Sequence, residues 1–233
     1  MQSQDVSAEL MFKFQPWFEA NRKRLIVIGV AALVGLFVWY YLTTRRQQQE
    51  LAAGQAYTQF QLNQPPTLQA QQVVDGYLKI AQDYSGTMAG QRAQLQAAIT
   101  LFDAGKYADA EKQFETYLAA NGDSTLAAPA QVGVAASLEA QGKLDQALTA
   151  YRAVTTTYPD TTTAIEAKYS CGRVLELQGK LSEAVTFYQD VARSPLAGSL
   201  ASISHQRIAE IQPKLSAQKP AQPAQPVQPA SKS

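Results

Sequence analysis

The sequence predicts an all-α protein in which a single N-terminal transmembrane helix precedes a solenoid of helical hairpins. Three observations lead to this prediction. The residues from Leu25 to Leu42 are uncharged and mostly apolar, a pattern of 37 residues recurs in the C-terminal part, and Ala and Gln are abundant throughout. Because Ala and Gln are good helix formers, the composition favours helices over strands.

The run from Leu25 to Leu42 has the length and composition of a membrane span. At about 1.5 Å per residue, its eighteen residues form a helix about 27 Å long, close to the thickness of the hydrocarbon layer. Trp39, Tyr40 and Tyr41 stand at its end, where an aromatic belt is expected and where a signal peptide would have small residues. We therefore predict a transmembrane helix over residues 25–44 that meets the membrane through residues 25–42.

Basic residues predict the orientation of this helix. Four precede it and two follow it, namely Lys13, Arg22, Lys23 and Arg24 against Arg45 and Arg46. Since cytoplasmic flanks are enriched in Lys and Arg, residues 1–24 are expected in the cytoplasm and the C-terminal part in the periplasm. The expected location is the bacterial inner (plasma) membrane, crossed once. The reverse topology, with a repeat domain that faces the cytoplasm, stays open as an alternative.

The repeat is marked by the dipeptide Gly-Lys, which begins at Gly105, Gly142 and Gly179. Four further columns keep the same 37-residue step: a small residue, a Leu, an Ala and an aromatic residue. In chain order they are Ala98, Leu101, Ala110 and Phe114; Ala135, Leu138, Ala147 and Tyr151; Gly172, Leu175, Ala184 and Tyr188. This order predicts two helices that cross at small residues and are joined by a glycine turn. Such hairpins bury their apolar faces only by stacking, which predicts a solenoid.

The same periodicity extends beyond the three units. It predicts a second helix over residues 71–84, a preceding first helix over about 47–62 that continues from the membrane span, and a capping helix over 199–212 that Pro213 ends. The repeat domain is therefore placed at residues 45–212. The tail, residues 213–233, has a proline at every third position from Pro220 to Pro229, which predicts a disordered, polyproline-like segment.

The composition excludes several classes of function. One His and one Cys cannot form a Cys/His metal cluster or an internal disulfide, and a net charge of +1 provides no field for nucleic acid. Cys171 falls in a core column and is predicted to be a buried structural residue, whereas His205 is predicted to be solvated on the capping helix. We expect no catalytic residue, no metal and no cofactor, and we predict a binding protein.

The predicted binding surface lies on the first helices of the hairpins, the default recognition face of a solenoid. It is an apolar stripe bordered by charged residues, and it consists of Leu95, Ile99, Phe102, Val132 and Tyr169 together with Arg92, Glu139 and Arg173. One interpretation is a groove for apolar polypeptide. The other is that the chain itself covers the stripe.

The columns resemble the tetratricopeptide repeat, lengthened from its usual 34 residues to 37. The opening Trp of that family is absent, and the residues in its place are Gln94, Gln131 and Lys168. The resemblance implies a divergent repeat of helical hairpins that binds other proteins.

The order of segments also resembles YfgM-type proteins, the ancillary subunits of the Sec translocon. The resemblance rests on Trp17-Phe18-x-x-Asn21, on Trp39-Tyr40-Tyr41, and on the Ala- and Gln-rich stretch from Leu51 through Ala56-Tyr57. It implies a periplasmic scaffold whose partners are translocon subunits, chaperones and client chains. A rival hypothesis is a structural protein that organises the cell envelope and reaches its partner with the proline-rich tail.

Overall fold

The computed structural model describes the backbone of residues 3–65 and 67–218 and the side chains of residues 20–65 and 67–217. These residues form helices and no strands, so the all-α prediction is confirmed. The helices are α1 (Ser3–Leu62), α2 (Ala70–Asp83), α3 (Met88–Asp103), α4 (Tyr107–Asn121), α5 (Ala127–Ala140), α6 (Leu144–Thr157), α7 (Thr162–Leu177), α8 (Leu181–Arg193) and α9 (Ser199–Gln218).

The chain divides into two compact units between Gln55 and Ala56. The first unit is helical, and α1 contains a segment that is long and apolar enough to cross a membrane. Its large apolar side chains from Ile26 to Leu42 are 46% to 69% exposed, so no protein layer covers them. A lipid environment would remove this apolar surface from water.

The second unit is a stack of helical hairpins. Each helix from α2 to α9 packs against the next one in the chain, and the first helices of successive hairpins, α3, α5, α7 and α9, also contact one another. The second helices, α2, α4, α6 and α8, have no Cα atoms within 8 Å of each other in the described part of the chain. The stack therefore curves with its first helices on the inner side.

The Gly-Lys turns explain the spacing of the repeat. Gly105, Gly142 and Gly179 have φ angles of 75°, 76° and 74°, a left-handed conformation that residues with a Cβ rarely adopt. In the first turn the amide of Lys106 donates to the carbonyl of Leu101 (2.9 Å), and the amide of Gly105 donates to that of Phe102 (2.9 Å). The other two turns repeat both bonds. This is the Schellman arrangement, which ends a helix by satisfying its last carbonyl groups.

The repeating columns form the core of the stack. Ala110, Ala147 and Ala184 are fully buried, and the aromatic rings four residues later are 3% exposed or less. Gly172 lies under the ring of Tyr188, where a Cβ atom would approach the ring carbons to 2.8 Å. The small residue of the first helix is therefore required by the aromatic residue of the second, as the sequence predicts.

The leading hairpin confirms the predicted helices and corrects one position. The second helix occurs as α2, and the rings of Phe60 and Tyr77 meet edge to face with centroids 4.9 Å apart. Val73 stands two periods before the fully buried Ala147, but here Val74 is the buried residue and Val73 is only half-buried. The bulky ring of Phe60 rests on Gly76 and sets the rotation of this helix.

The capping helix corrects a second expectation, because α9 does not end at Pro213. It continues through this proline to Gln218. Pro213 lies on the exposed side, where water can bind the carbonyl left without a donor. Ile211 is fully buried, and Leu215 packs against the same core, so apolar contacts on the opposite side hold the last turn. The tail beyond Gln218 lies outside the described residues.

Candidate functional site

The inner side of the stack is the candidate interaction surface, and α3, α5 and α7 contribute the residues that the sequence singles out. The structure does not assemble the apolar ones into an open groove. Leu95 is 8% exposed and belongs to the core around α2, α3 and α4. Ile99 and Phe102 are half-buried against that same core.

The remaining apolar residues of the predicted stripe pack elsewhere. Val132 and Tyr169 are half-buried against the core that α5 to α9 share. The ring of Tyr169 lies 5.4 Å from that of Tyr188, measured between centroids. The residues of the stripe thus belong to two separate cores. Most of their side-chain surface is packed against one of these cores, and only a part of it reaches the protein surface.

Arg92 lies at the border of this surface and is exposed. Its charge acts on Tyr57, at the start of the repeat unit. Burial raises the pKa of the Tyr57 hydroxyl above its ordinary value, while the charge of Arg92 acts in the opposite direction. Arg92 makes no ion pair with any residue the structure describes, so its guanidinium is available to a partner.

The other two charged residues of the prediction bind each other. The Arg173 guanidinium, on α7, forms a two-pronged contact with the Glu139 carboxylate, on α5, and one prong, Nη2 to Oε2, measures 2.7 Å. The hydroxyl of Tyr151, on α6, donates to the same Oε2 at 3.0 Å. Only 9% of the Glu139 side chain is exposed. The bridge therefore joins both helices of one hairpin to the first helix of the next.

This arrangement has electrostatic consequences for the tyrosine. Burial raises the pKa of Tyr151 well above its usual range, and the negative charge of Glu139 raises it further. The phenol thus stays protonated and remains a donor. A planar guanidinium with two bonds to one carboxylate is among the stronger polar contacts in proteins.

The next hairpin repeats the bridge with other residues. The Tyr188 hydroxyl donates to Glu176 Oε2 at 3.2 Å, and Arg207 Nη2 donates to Glu176 Oε1 at 2.6 Å. Arg207 also reaches Glu210 at 2.7 Å. We call the two groups the tyrosine–glutamate–arginine bridges: Tyr151, Glu139 and Arg173 form the first, and Tyr188, Glu176 and Arg207 form the second.

The sequence pattern singles out Glu139 and Arg173 but does not predict the two bridges. A signal for part of them is present, since Glu139 and Glu176 are one period apart and a tyrosine follows each of them by twelve residues. The arginines give no such signal. Arg173 and Arg207 are 34 residues apart, so they occupy different columns and meet their partners only in three dimensions.

Cys171 and His205, the two residues whose side chains could take part in catalysis, lie where the sequence predicts them. Cys171 is fully buried, as predicted, and burial raises the pKa of its thiol to about 12. A thiol of this kind is mostly protonated near neutral pH and is a poor nucleophile. His205 is exposed, also as predicted. The described residues contain no group of three or more His, Cys, Asp or Glu side chains that could hold a metal ion.

Comparison with known proteins gives one match at the level of a family. Residues 15–203 match the family described as "Tetratricopeptide repeat-like domain". No protein with a curated description matches the sequence.

Among solved structures, the chain is similar to PcrH from Pseudomonas aeruginosa, with 17% identity over 54% of this chain and 94% of the other and a TM-score of 0.47. It is also similar to the type III secretion translocator chaperone SycD from Yersinia enterocolitica, with 19% identity over 58% of this chain and 99% of the other and a TM-score of 0.46. A kinesin light chain protein from Podosopora anserina with nearly identical TPR-like repeats has 15% identity over 73% and 96% of the two chains and a TM-score of 0.47.

Proposed function

Because the chain belongs to the tetratricopeptide repeat-like domain family, we propose that it is a membrane-anchored scaffold that binds other proteins through the inner side of its helical stack. The observation that carries this proposal is the curvature of the stack. The first helices lie side by side on the inner surface, and a solenoid of this kind presents an extended face for a partner.

The charges of this face indicate which partner it suits. The carboxylates of Glu139 and Glu176 are occupied by arginines of the same surface, so the two bridges present little uncompensated charge. Exposed Arg92 remains at one border, and the edges of Ile99, Phe102 and Val132 lie between. A largely apolar or neutral polypeptide segment with one acidic group fits this distribution better than a strongly charged one.

The more specific proposal is a periplasmic adaptor beside the Sec translocon that contacts client or chaperone proteins. Its support is the resemblance of Trp17-Phe18-x-x-Asn21 and of the stretch from Leu51 to Tyr57 to YfgM-type proteins. The excess of basic residues before the apolar segment supports an N-terminus in the cytoplasm. With that topology, the repeat unit lies on the side where exported chains emerge.

Affinity capture tests both levels of the proposal. The full chain is isolated in mild detergent and its associated proteins are identified. We expect translocon subunits, and we expect Arg92→Glu to lower their recovery several-fold because it reverses an exposed charge at the border of the inner side. Lys112→Glu is the matched control, since Lys112 is also an exposed cation and lies on the second helix α4.

Different outcomes contradict different parts of the proposal. A stable complex without translocon subunits, but still sensitive to Arg92→Glu, would contradict the translocon assignment and leave the scaffold role intact. Equal recovery by the two variants would contradict the inner side as the binding surface. Protease added to spheroplasts, which lack the barrier of the outer membrane, is expected to digest the repeat unit. Protection of the repeat unit would contradict the proposed topology.

A further inference from the structure

The end of the helical stack has a recess between α8 and α9 that does not belong to the inner side. It has a volume of about 260 Å³ and is lined by Gln189, Ala192 and Arg193 of α8 and by His205 and Ile208 of α9. We call it the terminal recess. The repeat allows a direct comparison with the equivalent place one hairpin earlier.

One period before the terminal recess, the surface is covered by a helix. Arg152 stands in the column of Gln189, and it lies over the ring of Phe187 on α8, with 5.6 Å from the guanidinium carbon to the ring centroid. It also pairs with Glu183 of α8 at 3.8 Å. Cys171 stands in the column of Ile208 and is fully buried, whereas Ile208 is only half-buried. The recess is therefore the place where a further second helix would pack.

The segment that follows α9 occupies the corresponding place in the sequence. One period after α8 (Leu181–Arg193) comes 218–230, which is most of the proline-rich tail. This segment lacks the helical pattern of α8, because a proline recurs at every third position from Pro220 to Pro229. A polyproline II helix has three residues per turn, so these four prolines share one face.

We propose that residues 219–233 fold back and pack their proline face into the terminal recess, where they replace the missing second helix. The lengths are compatible. The nine steps from Pro220 to Pro229 extend about 28 Å at about 3.1 Å each, which exceeds the axial length of about 20 Å for the thirteen residues of α8. The ten steps from Ile208 to Gln218 rise about 15 Å, so about five extended residues bring Pro223 back to the recess.

The polar side chains around the recess can supply the hydrogen-bond donors that a polyproline II segment needs. A polyproline II segment has no internal hydrogen bonds, so its carbonyl oxygens require outside donors. The side chains of Gln189, Arg193 and His205 surround the apolar floor and make no hydrogen bond to any residue in the described part of the chain. They can donate to the tail, while Ala192 and Ile208 contact the proline rings.

Disulfide trapping tests this proposal in the full-length protein in detergent. Cys171→Ala first removes the native thiol, and Ala occupies the same column at Ala97. Ala192→Cys is then combined with Ala224→Cys, and the rate of disulfide formation after addition of an oxidant is measured. The matched control combines Ala224→Cys with Lys112→Cys, because Lys112 lines a different cavity, of about 280 Å³, between α2 and α4.

We expect the Ala192→Cys pair to cross-link within one chain several-fold faster than the Lys112→Cys pair. Replacing the four prolines by serine should lower this rate to the control level, while replacing Gln222, Gln225 and Gln228 by serine should leave it unchanged. Circular dichroism checks that each variant is folded.

Three outcomes would overturn the proposal. Equal cross-linking rates at the two cavities would mean that the tail has no preferred position on the repeat unit. Insensitivity to the loss of the prolines would exclude the proline face as the contact. Cross-links found only between two chains would assign the recess to a second copy of the protein instead of the tail of the same chain.

Discussion

The two halves of the repeat unit solve the same packing problem with different chemistry. In the hairpins α5–α6 and α7–α8, a glutamate of the first helix accepts a bond from a tyrosine of the second. One period earlier, in the hairpin α3–α4, the same two columns hold Phe102 and Phe114. The N-terminal half is therefore held together at these positions by apolar contact alone, while the C-terminal half adds hydrogen bonds and an ion pair to the next hairpin.

The residues in the columns of Glu139 and Tyr151 change together from one half to the other. A glutamate beside a phenylalanine would leave a buried carboxylate without its donor, and a tyrosine beside a phenylalanine would leave a buried hydroxyl without its acceptor. The arginine that completes each bridge comes from the following first helix. One period before Arg173 on α7 stands Ala136 on α5, so the hairpin α3–α4 has no arginine at the position that completes the first bridge.

The largest expected effect tests what the halves have in common. Tyr151→Ala and Phe114→Ala each remove a ring that is 3% exposed or less. Each should lower the free energy of unfolding by about 3–5 kcal/mol, the usual range for a deleted core aromatic side chain. Chemical denaturation of the full chain in detergent measures both. A loss at Tyr151 below about 1 kcal/mol would show that its ring does not fill the core as that of Phe114 does.

The second prediction concerns the first bridge, which is present only in the C-terminal half. Glu139→Ala leaves the Tyr151 hydroxyl and the Arg173 guanidinium without their shared acceptor, and should destabilise the protein by about 1–3 kcal/mol. Glu166→Ala is the control, since Glu166 is exposed on α7 and its removal should change stability by less than about 0.5 kcal/mol. Equal effects of the two substitutions would mean that the first bridge contributes nothing beyond an ordinary surface charge.

The third prediction isolates one bond of each bridge. Tyr151→Phe and Tyr188→Phe keep the ring and remove the hydroxyl, which makes these positions resemble Phe114. We expect losses of about 1 kcal/mol each, the typical contribution of one hydrogen bond. In a Glu139→Ala background, Tyr151→Phe should cause no further loss and should recover part of the stability, because it removes the hydroxyl that was left without an acceptor. Simple additivity of the two changes would contradict a direct bond between them.

The smallest effect concerns the opening of the two cores and is read from cysteine labelling. Cys171 reports on the C-terminal half, and Ala97→Cys in a Cys171→Ala background places a thiol in the same column of the N-terminal half. We expect Cys171 to react a few-fold more slowly with a thiol reagent, because the bridges must break before its core opens. Faster labelling of Cys171 would reverse the assigned order of stability.

The same thiol gives a pH dependence with a defined sign. Its pKa rises on folding from the ordinary value of 9.0 to about 12, so the folded state favours the protonated form. The contribution to stability is complete below pH 9 and is lost as the pH rises towards 12. Cys171→Ala should remove this part of the alkaline destabilisation, as measured by denaturation between those two pH values. An unchanged alkaline profile would contradict it.

The sequence predicts what repeats and fails where the chain departs from the repeat. The columns of Ala147 and Tyr151 are visible because the same packing constraint acts in each hairpin. Pro213 was expected to end the last helix, since proline lacks an amide donor. The helix continues because Leu215 finds a place in the core, and no local pattern reports that contact.

The candidate site was predictable in part for the same reason. Glu139 and Arg173 were placed at the border of a groove, but their contact depends on the distance between two first helices, which the periodicity does not specify. Leu95 belongs to the stripe that was expected either to form a groove or to be covered by the chain itself, and it lies in the core at 8% exposure. Helical spacing gives the direction of a side chain but not the depth to which neighbouring helices cover it.

The glycine turns have a further consequence for how such a protein can change in length. Each turn is closed by backbone bonds alone, from Lys106 to Leu101 and from its counterparts one and two periods later. The side chains around it are then free to vary, as shown by Lys106 and Lys143, which bind Gln71 and Glu111 respectively. A segment cut from one glycine turn to the next is therefore an exchangeable cassette. Duplicating or deleting it would add or remove one layer of the stack and leave the backbone bonds of the other glycine turns unchanged, so the number of layers is open to change by simple recombination.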